Sequence, residues 1–149
     1  MSKPRVFISS TFYDLRLVRL ELDKFLRVLG YEPVRNETGD IPYGRTESLE
    51  KYCYKEIENV DILISIIGSR FGTSSEGDKA RSISNVELRT ALKENKHVFI
   101  FIEKNVFIEY ETYLLNKDKE IEYKYVDNPN IYRFIEEIKA LPNNNNIKD

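Results

Sequence analysis

The sequence predicts a doubly wound α/β fold, a parallel sheet flanked by helices, on three observations. Short apolar runs alternate with helix-period segments as strand, helix, strand, helix, strand, helix, strand. Two of those runs, "DILISIIG" (61–68) and "HVFIFIE" (97–103), carry no polar alternation, which suits parallel strands covered on both faces. The length of 149 residues fits one domain with a real core.

"RVFISS" (5–10) is apolar and β-branched, a first strand. In "TFYDLRLVRLELDKFLRVLG", Leu15, Val18, Leu22, Phe25, Leu26 and Leu29 fall at helical spacing. Thr11 and Asp14 give that helix a capping-box start, and Gly30 a stop. "YEPVRNE" (31–37) is a second strand, placed at an edge by Pro33. "TGDIPYGR" (38–45) is loop, and Leu49, Tyr52, Cys53, Ile57 and Val60 mark a helix over 48–58. After the third strand, "SRFGTSSEGDKARS" (69–82) is loop, and a helix follows over about 84–95. Helices are expected at 110–123 and 130–141, joined through "VDNP". One domain over 1–141 would then precede "PNNNNIKD", read as a disordered tail or linker.

Composition narrows the function. A net charge of −2 with mixed signs lacks the basic footprint of a nucleic-acid binder. A single cysteine excludes an internal disulfide framework, and one histidine leaves little for metal or Ser-His chemistry, so no metal is expected. Cys53, on the apolar face of its helix, reads as a buried structural thiol. No apolar run approaches the ~20 residues of a membrane span and no leader opens the chain, so a cytoplasmic, membrane-free protein is expected.

In such sheets ligands bind at the carboxyl ends of the strands. Those ends carry "SSTFYD", "NETGDIPYGR", "GSRFGTSS" and "EKN", three of them rich in hydroxyls, glycine or charge. Neither G-x-x-x-x-G-K-[ST] nor G-x-G-x-x-G is present. The only aspartate of the central strand, Asp61, lies at the wrong end for a phospho-acceptor.

"RVFISSTFYDL" resembles the first box of TIR domains. "VFISSTFYDLRLVRLEL" resembles more closely the opening of a TIR-like family of uncharacterised domains at the N-termini of NACHT and other NTPase-bearing proteins. "GDIPYG" sits where TIR domains carry a mobile loop, and "SRFG" and "SISNVELRTAL" match later parts of the pattern. The resemblance spans about residues 4–103. It implies a flavodoxin-like fold related to TIR domains and nucleoside deoxyribosyltransferases. Some members cleave the N-glycosidic bond of NAD with one glutamate on the helix after the third strand, here Glu87. Before that glutamate TIR domains usually have an aromatic and a cysteine, where this chain has Asn85 and Val86.

One carboxylate is chemically adequate for NAD. Glycoside hydrolysis ordinarily needs two carboxyl groups, one of them to protonate the leaving group. Nicotinamide is positively charged while bound and leaves neutral, so a single carboxylate stabilising the oxocarbenium-like ribose suffices. A purine or pyrimidine would need a proton donor, for which Asp14 and Asp40 are the candidates. Ser9 and Ser10 are candidates to hydrogen-bond the nicotinamide amide or a phosphate, and Phe12 or Tyr13 to stack on a base. Arg45 and Arg70 would pair with the diphosphate. Spacing alone offers Glu87 another task, since Ser84-x-x-Glu87 is itself a capping box.

Three readings follow. The first is a TIR-like NAD glycohydrolase or cyclase in prokaryotic anti-phage signalling. It takes NAD as substrate rather than cofactor, self-associates, and works with a sensor NTPase or a nucleotide-sensing effector. The second is a non-catalytic assembly module, to which "VFIEYETYLL" would lend an exposed patch. The third is a nucleoside hydrolase or deoxyribosyltransferase.

Overall fold

Alternation along the first strand sorts the whole core. Strand β1 (Arg5–Ser9) turns Val6 and Ile8 to one face of the sheet and Phe7 and Ser9 to the other. The computed structural model describes residues 3–11, 14–35, 49–141 and 147–148. After β1 come α1 (Arg16–Val28), β2 (Glu32–Val34), α2 (Leu49–Ile57), β3 (Ile62–Ile67), α3 (Ile83–Lys93), β4 (His97–Ile102), α4 (Lys104–Leu115), α5 (Asn130–Lys139) and β5 (Ile147–Lys148). The strands pair in parallel in the order β2-β1-β3-β4-β5, with Ser9 opposite Ser65. This is the flavodoxin-like order, with its switch point between β1 and β3.

On the Phe7 face, four helices close the main core. Cys53 and Ile57 of α2, Leu88 of α3, Val106 of α4 and Tyr132, Ile135 and Ile138 of α5 belong to one cluster with Leu63, Val98 and Ile100. Full burial of each large apolar side chain is worth about 1.5–3 kcal/mol. On the other face α1 lays Leu26, with Leu22 beside it, over Val6 and Ile8.

Several elements differ from the sequence reading. Thr11 and Asp14 do not cap α1: the helix starts at Arg16, its cap residue Leu15 makes no side-chain cap, and Thr11 Oγ1 donates instead to Asp14 Oδ1 at 2.5 Å. Only part of the apolar stripe of α1 is buried, through Leu26 and, partly, Leu22. Val18, Phe25 and Leu29 are exposed while Arg19 and Asp23 are buried. Asp23 accepts from Arg27 Nε and from Arg35 Nε, each at 2.8 Å, and this pairing draws the polar side of the helix toward the β2 end of the sheet.

Among the described residues, β3 and β4 are fully covered on one face and only partly on the other. Phe99 and Phe101 are exposed, and Ile62, Ile64 and Ile66 are half-buried. Among the described helices only α1 packs on that side, and a helix ~10 Å wide spans about two strands spaced ~4.8 Å apart. α4 begins directly after β4, six residues before the predicted start. The segment behind it is held as loop, because Glu109 accepts from the N–H groups of Lys124 (3.0 Å) and Tyr125 (3.1 Å) and from Tyr132 Oη (2.6 Å). Of the expected tail, Ile147 and Lys148 pair with Ile100 and Phe101 as β5. Among the described residues no helix is long and apolar enough to cross a membrane, and no group of His, Cys, Asp or Glu is arranged to hold a metal ion.

Candidate functional site

Glu87 is not the cap of its helix. Ser82 is the N-cap of α3: its Oγ accepts from Asn85 N–H at 3.2 Å, and Asn85 Oδ1 accepts from Ser82 N–H at 3.1 Å. This reciprocal box stands two residues earlier than Ser84-x-x-Glu87 and uses an amide where a glutamate was expected. Glu87 therefore lies past the first turn, where no free backbone N–H asks for it.

Its carboxylate is buried, and strand β1 holds it. Ser9 Oγ donates to Glu87 Oε1 at 2.9 Å and lies 3.3 Å from the Ser84 carbonyl oxygen. Both ends of this contact come from the fold: β1 turns Ser9 toward α3, and α3 begins at the carboxyl edge of the sheet. Tyr54 of α2 stands within the field of the same carboxylate. Its phenol is pushed up by burial first, then by donating to Glu50, with the charges of Glu50 and Glu87 adding to the effect. Tyr54 thus remains a protonated donor, at 2.5 Å from Glu50 Oε1.

Glu50 also accepts from Ser75 Oγ at 2.5 Å and from Glu76 N–H at 3.3 Å, which fastens the loop after β3 to α2. Burial presses its pKa upward, but the bonds from Ser75, Tyr54 and Glu76, with the charge of Lys79, carry it below its ordinary 4.5. A carboxyl depressed in the folded state stabilises the fold above its unfolded pKa and loses that contribution as pH falls through the folded one. Glu50→Gln is therefore expected to be less stable than the parent at neutral pH, with the gap closing below about pH 4.5. Urea titrations at a series of pH values test this. A gap that stays constant into acid would show that the charge of Glu50 contributes nothing.

A cavity of about 360 Å³ opens at the carboxyl ends of β1 and β3, lined by Ser10, Thr11, Asp14, Arg70, Thr73, Ser84 and Asp127 among others. Gly72 forms part of its wall for steric reasons. Its φ is +79°, and a Cβ there would lie 2.7 Å from Thr11 Cγ2, so the loop crosses Thr11 only as glycine. Asp127 is fixed to the same loop, accepting from Phe71 N–H at 2.8 Å while its own N–H donates to Ser69. A second cleft of about 500 Å³ shares Arg70 and Asp127 with the first and runs along Ser69, Glu103, Lys124 and Tyr125. Inward, a narrow crevice passes Ser84 and Asn85 to Ser65, the register partner of Ser9.

The structure thus brings Ser10, Asp14 and Arg70 together in one cavity and sets the Ser9–Glu87 pair behind its wall, with Ser84 common to both. Glu87 does not line the cavity itself. Phe12, Tyr13, Asp40 and Arg45 lie outside the described residues. Thr73, Asp127 and the Glu50–Tyr54–Ser75 cluster were not singled out from the sequence, and Ser84 was read only as a helix cap. Asp127 is more than fifty residues from Arg70, and the "VDNP" turn that carries it reads only as a joint between helices.

Comparison with known proteins adds a family. The family described as "Domain of unknown function (DUF4062)" matches residues 5–145. A solved 2-deoxyribosyltransferase from the psychrotolerant bacterium Bacillus psychrosaccharolyticus is similar at 19% identity and a TM-score of 0.49, over 66% of this chain and 72% of that one. The Clostridium botulinum CMP N-glycosidase BcmB is similar at 19% identity and a TM-score of 0.47, over 92% of this chain and 99% of that one. No curated protein matches the chain.

Proposed function

The chain belongs to the DUF4062 family, a domain of unknown function, and we propose that it cleaves the N-glycosidic bond of NAD, releasing nicotinamide. The observation that carries this reading is a buried carboxylate with no capping duty, Glu87, held by Ser9 beside a two-part cleft. From behind the cavity wall the negative charge of the carboxylate acts on the positive charge that develops on the ribose as nicotinamide leaves neutral, and no general acid is required. Ser10 and Thr11 offer hydroxyls to the amide or to a phosphate. The two clefts meet at Arg70, whose guanidinium makes no hydrogen bond or ion pair among the described residues, as a diphosphate between two nucleoside halves would need.

On this reading the released nucleotide, or the loss of NAD, is the signal, as the resemblance to TIR domains implies. A sensor NTPase would trigger the reaction or a nucleotide-sensing effector would read its product. The direct test is incubation of the purified chain with NAD, following nicotinamide by chromatography. Turnover of free nucleosides but not NAD would replace this reading with a nucleoside hydrolase or transferase. No release in any assembled state would end it. A sharper test uses Arg70→Ala, expected to raise KM for NAD about 10- to 100-fold, the loss of one charge-assisted contact. Nicotinamide riboside, which lacks the diphosphate, should be turned over equally by both proteins, and a loss on it as large as on NAD would remove Arg70 from that role.

A further inference from the structure

The described residues leave the outer face of the sheet only partly covered. Phe99 and Phe101 of β4 are each 42% exposed, and Ile62, Ile64 and Ile66 of β3 are half-covered beside them. Val18, Phe25 and Leu29 overhang this floor from α1, on the flank away from the Asp23–Arg35 pair. A single helix laid beside α1 would cover the floor and that flank. It would not reach Leu17 and Val28, which are 71% and 85% exposed on the side of α1 turned away from the sheet. Whatever covers all of these residues must pass over α1 as well as beside it.

We propose that the occupant is a second copy of this chain, docked by a two-fold axis that lays the two α1 helices side by side and antiparallel between the two sheets. Val18, Phe25 and Leu29 of one copy then meet the same residues of the other, and Leu17 and Val28 reach the partner's uncovered sheet face. Such an interface is self-complementary, as two-fold symmetry requires. Charge does not oppose it, because Glu21 and Lys24 on the outer side of α1 already pair with each other at 3.6 Å within one copy. Area agrees with it: Leu17, Val18, Phe25, Val28, Leu29, Phe99 and Phe101 expose about 800 Å² in all, taking roughly 170–240 Å² as the full surface of a Val, Leu or Phe residue, and a standard interface buries ~800 Å² per partner. The cleft at the carboxyl ends of the strands stays open in this arrangement.

Sedimentation velocity or light scattering over a dilution series of the full chain tests the proposal. The parent should be a dimer that dissociates on dilution. The double change Leu17→Glu with Val28→Glu should raise its dissociation constant by about 100-fold or more, since it brings charge into an apolar contact. Both positions face solvent in the monomer, so circular dichroism and melting of the isolated subunit should be unchanged. Ile108→Glu, on exposed α4 outside the patch, should leave the dimer intact. A parent that remains monomeric at the highest soluble concentration would overturn the proposal. So would a dimer indifferent to the double change, or one weakened as much by Ile108→Glu.

Discussion

Replacing Glu87 by glutamine is expected to lower nicotinamide release from NAD about 10³-fold, roughly 4 kcal/mol of transition-state stabilisation, with KM little changed. The reasoning is electrostatic. Departure of neutral nicotinamide leaves positive charge on the ribose, and only a negative group close to it stabilises the transition state more than the ground state. Glutamine has the same shape and keeps an oxygen for Ser9 Oγ, so the 2.9 Å contact and the packing of α3 survive. Melting temperature should therefore shift little while the rate collapses. Glu87→Asp withdraws the charge by one methylene and should fall between the two. Ser9→Ala removes the group that orients the carboxylate and should lower kcat more modestly, by about tenfold. If the glutamine variant turned over NAD at the parental rate, Glu87 would be a structural acid and the proposed chemistry would fall with it.

The fold was legible because its signals are strong and local. Unbroken apolar runs, one helix period per connection and glycine at the end of α1 place β1, α1, β2, α2, β3 and β4 within a few residues of where they stand. What escaped was decided by contacts between distant residues. The burial of Arg19 and Asp23 in place of Val18 and Phe25 depends on Arg35, which no helical pattern can see. The openness of the β3–β4 face depends on how many helices pack on that side, and an apolar run reads the same whether its cover is a neighbouring helix or another molecule. The site divides in the same way. Ser10, Asp14 and Arg70 follow from the rule that ligands sit at strand carboxyl ends, and they do share a cavity. Asp127 joins them through a backbone hydrogen bond to Phe71, a pairing across 56 residues. The sequence pattern marked Ser84 with Glu87 as the capping box of α3, but the helix is capped two residues earlier. Ser82 with Asn85 makes that cap, and that result separates Glu87 from helix initiation.

Arg19→Ala is expected to destabilise the protein by about 3 kcal/mol and, in the same variant, to raise KM for NAD. Arg19 is among the largest fully buried side chains, so truncation leaves a cavity beneath α1. Its Nη1 donates to Ser10 Oγ at 2.7 Å and lies 3.3 Å from the Ser10 carbonyl oxygen, fixing a residue that lines the cavity. Two effects are mixed in that loss, and Arg19→Met separates them. Methionine fills most of the volume, so the packing part should largely return. The Ser10 groups would still lack their donor, leaving a penalty of about 1–2 kcal/mol for part-buried acceptors. Replacing a buried charge by an apolar side chain also relieves its desolvation, which sometimes cancels such a penalty outright. The sign of the methionine result is therefore informative. A variant that is less stable than the parent and binds NAD more weakly means that the guanidinium organises the end of β1. A variant as stable as the parent but with raised KM places its role in the site alone. A variant unchanged in both would mean that Arg19 only fills space, and that Ser10 keeps its position through its own bond to the Thr11 carbonyl at 2.9 Å.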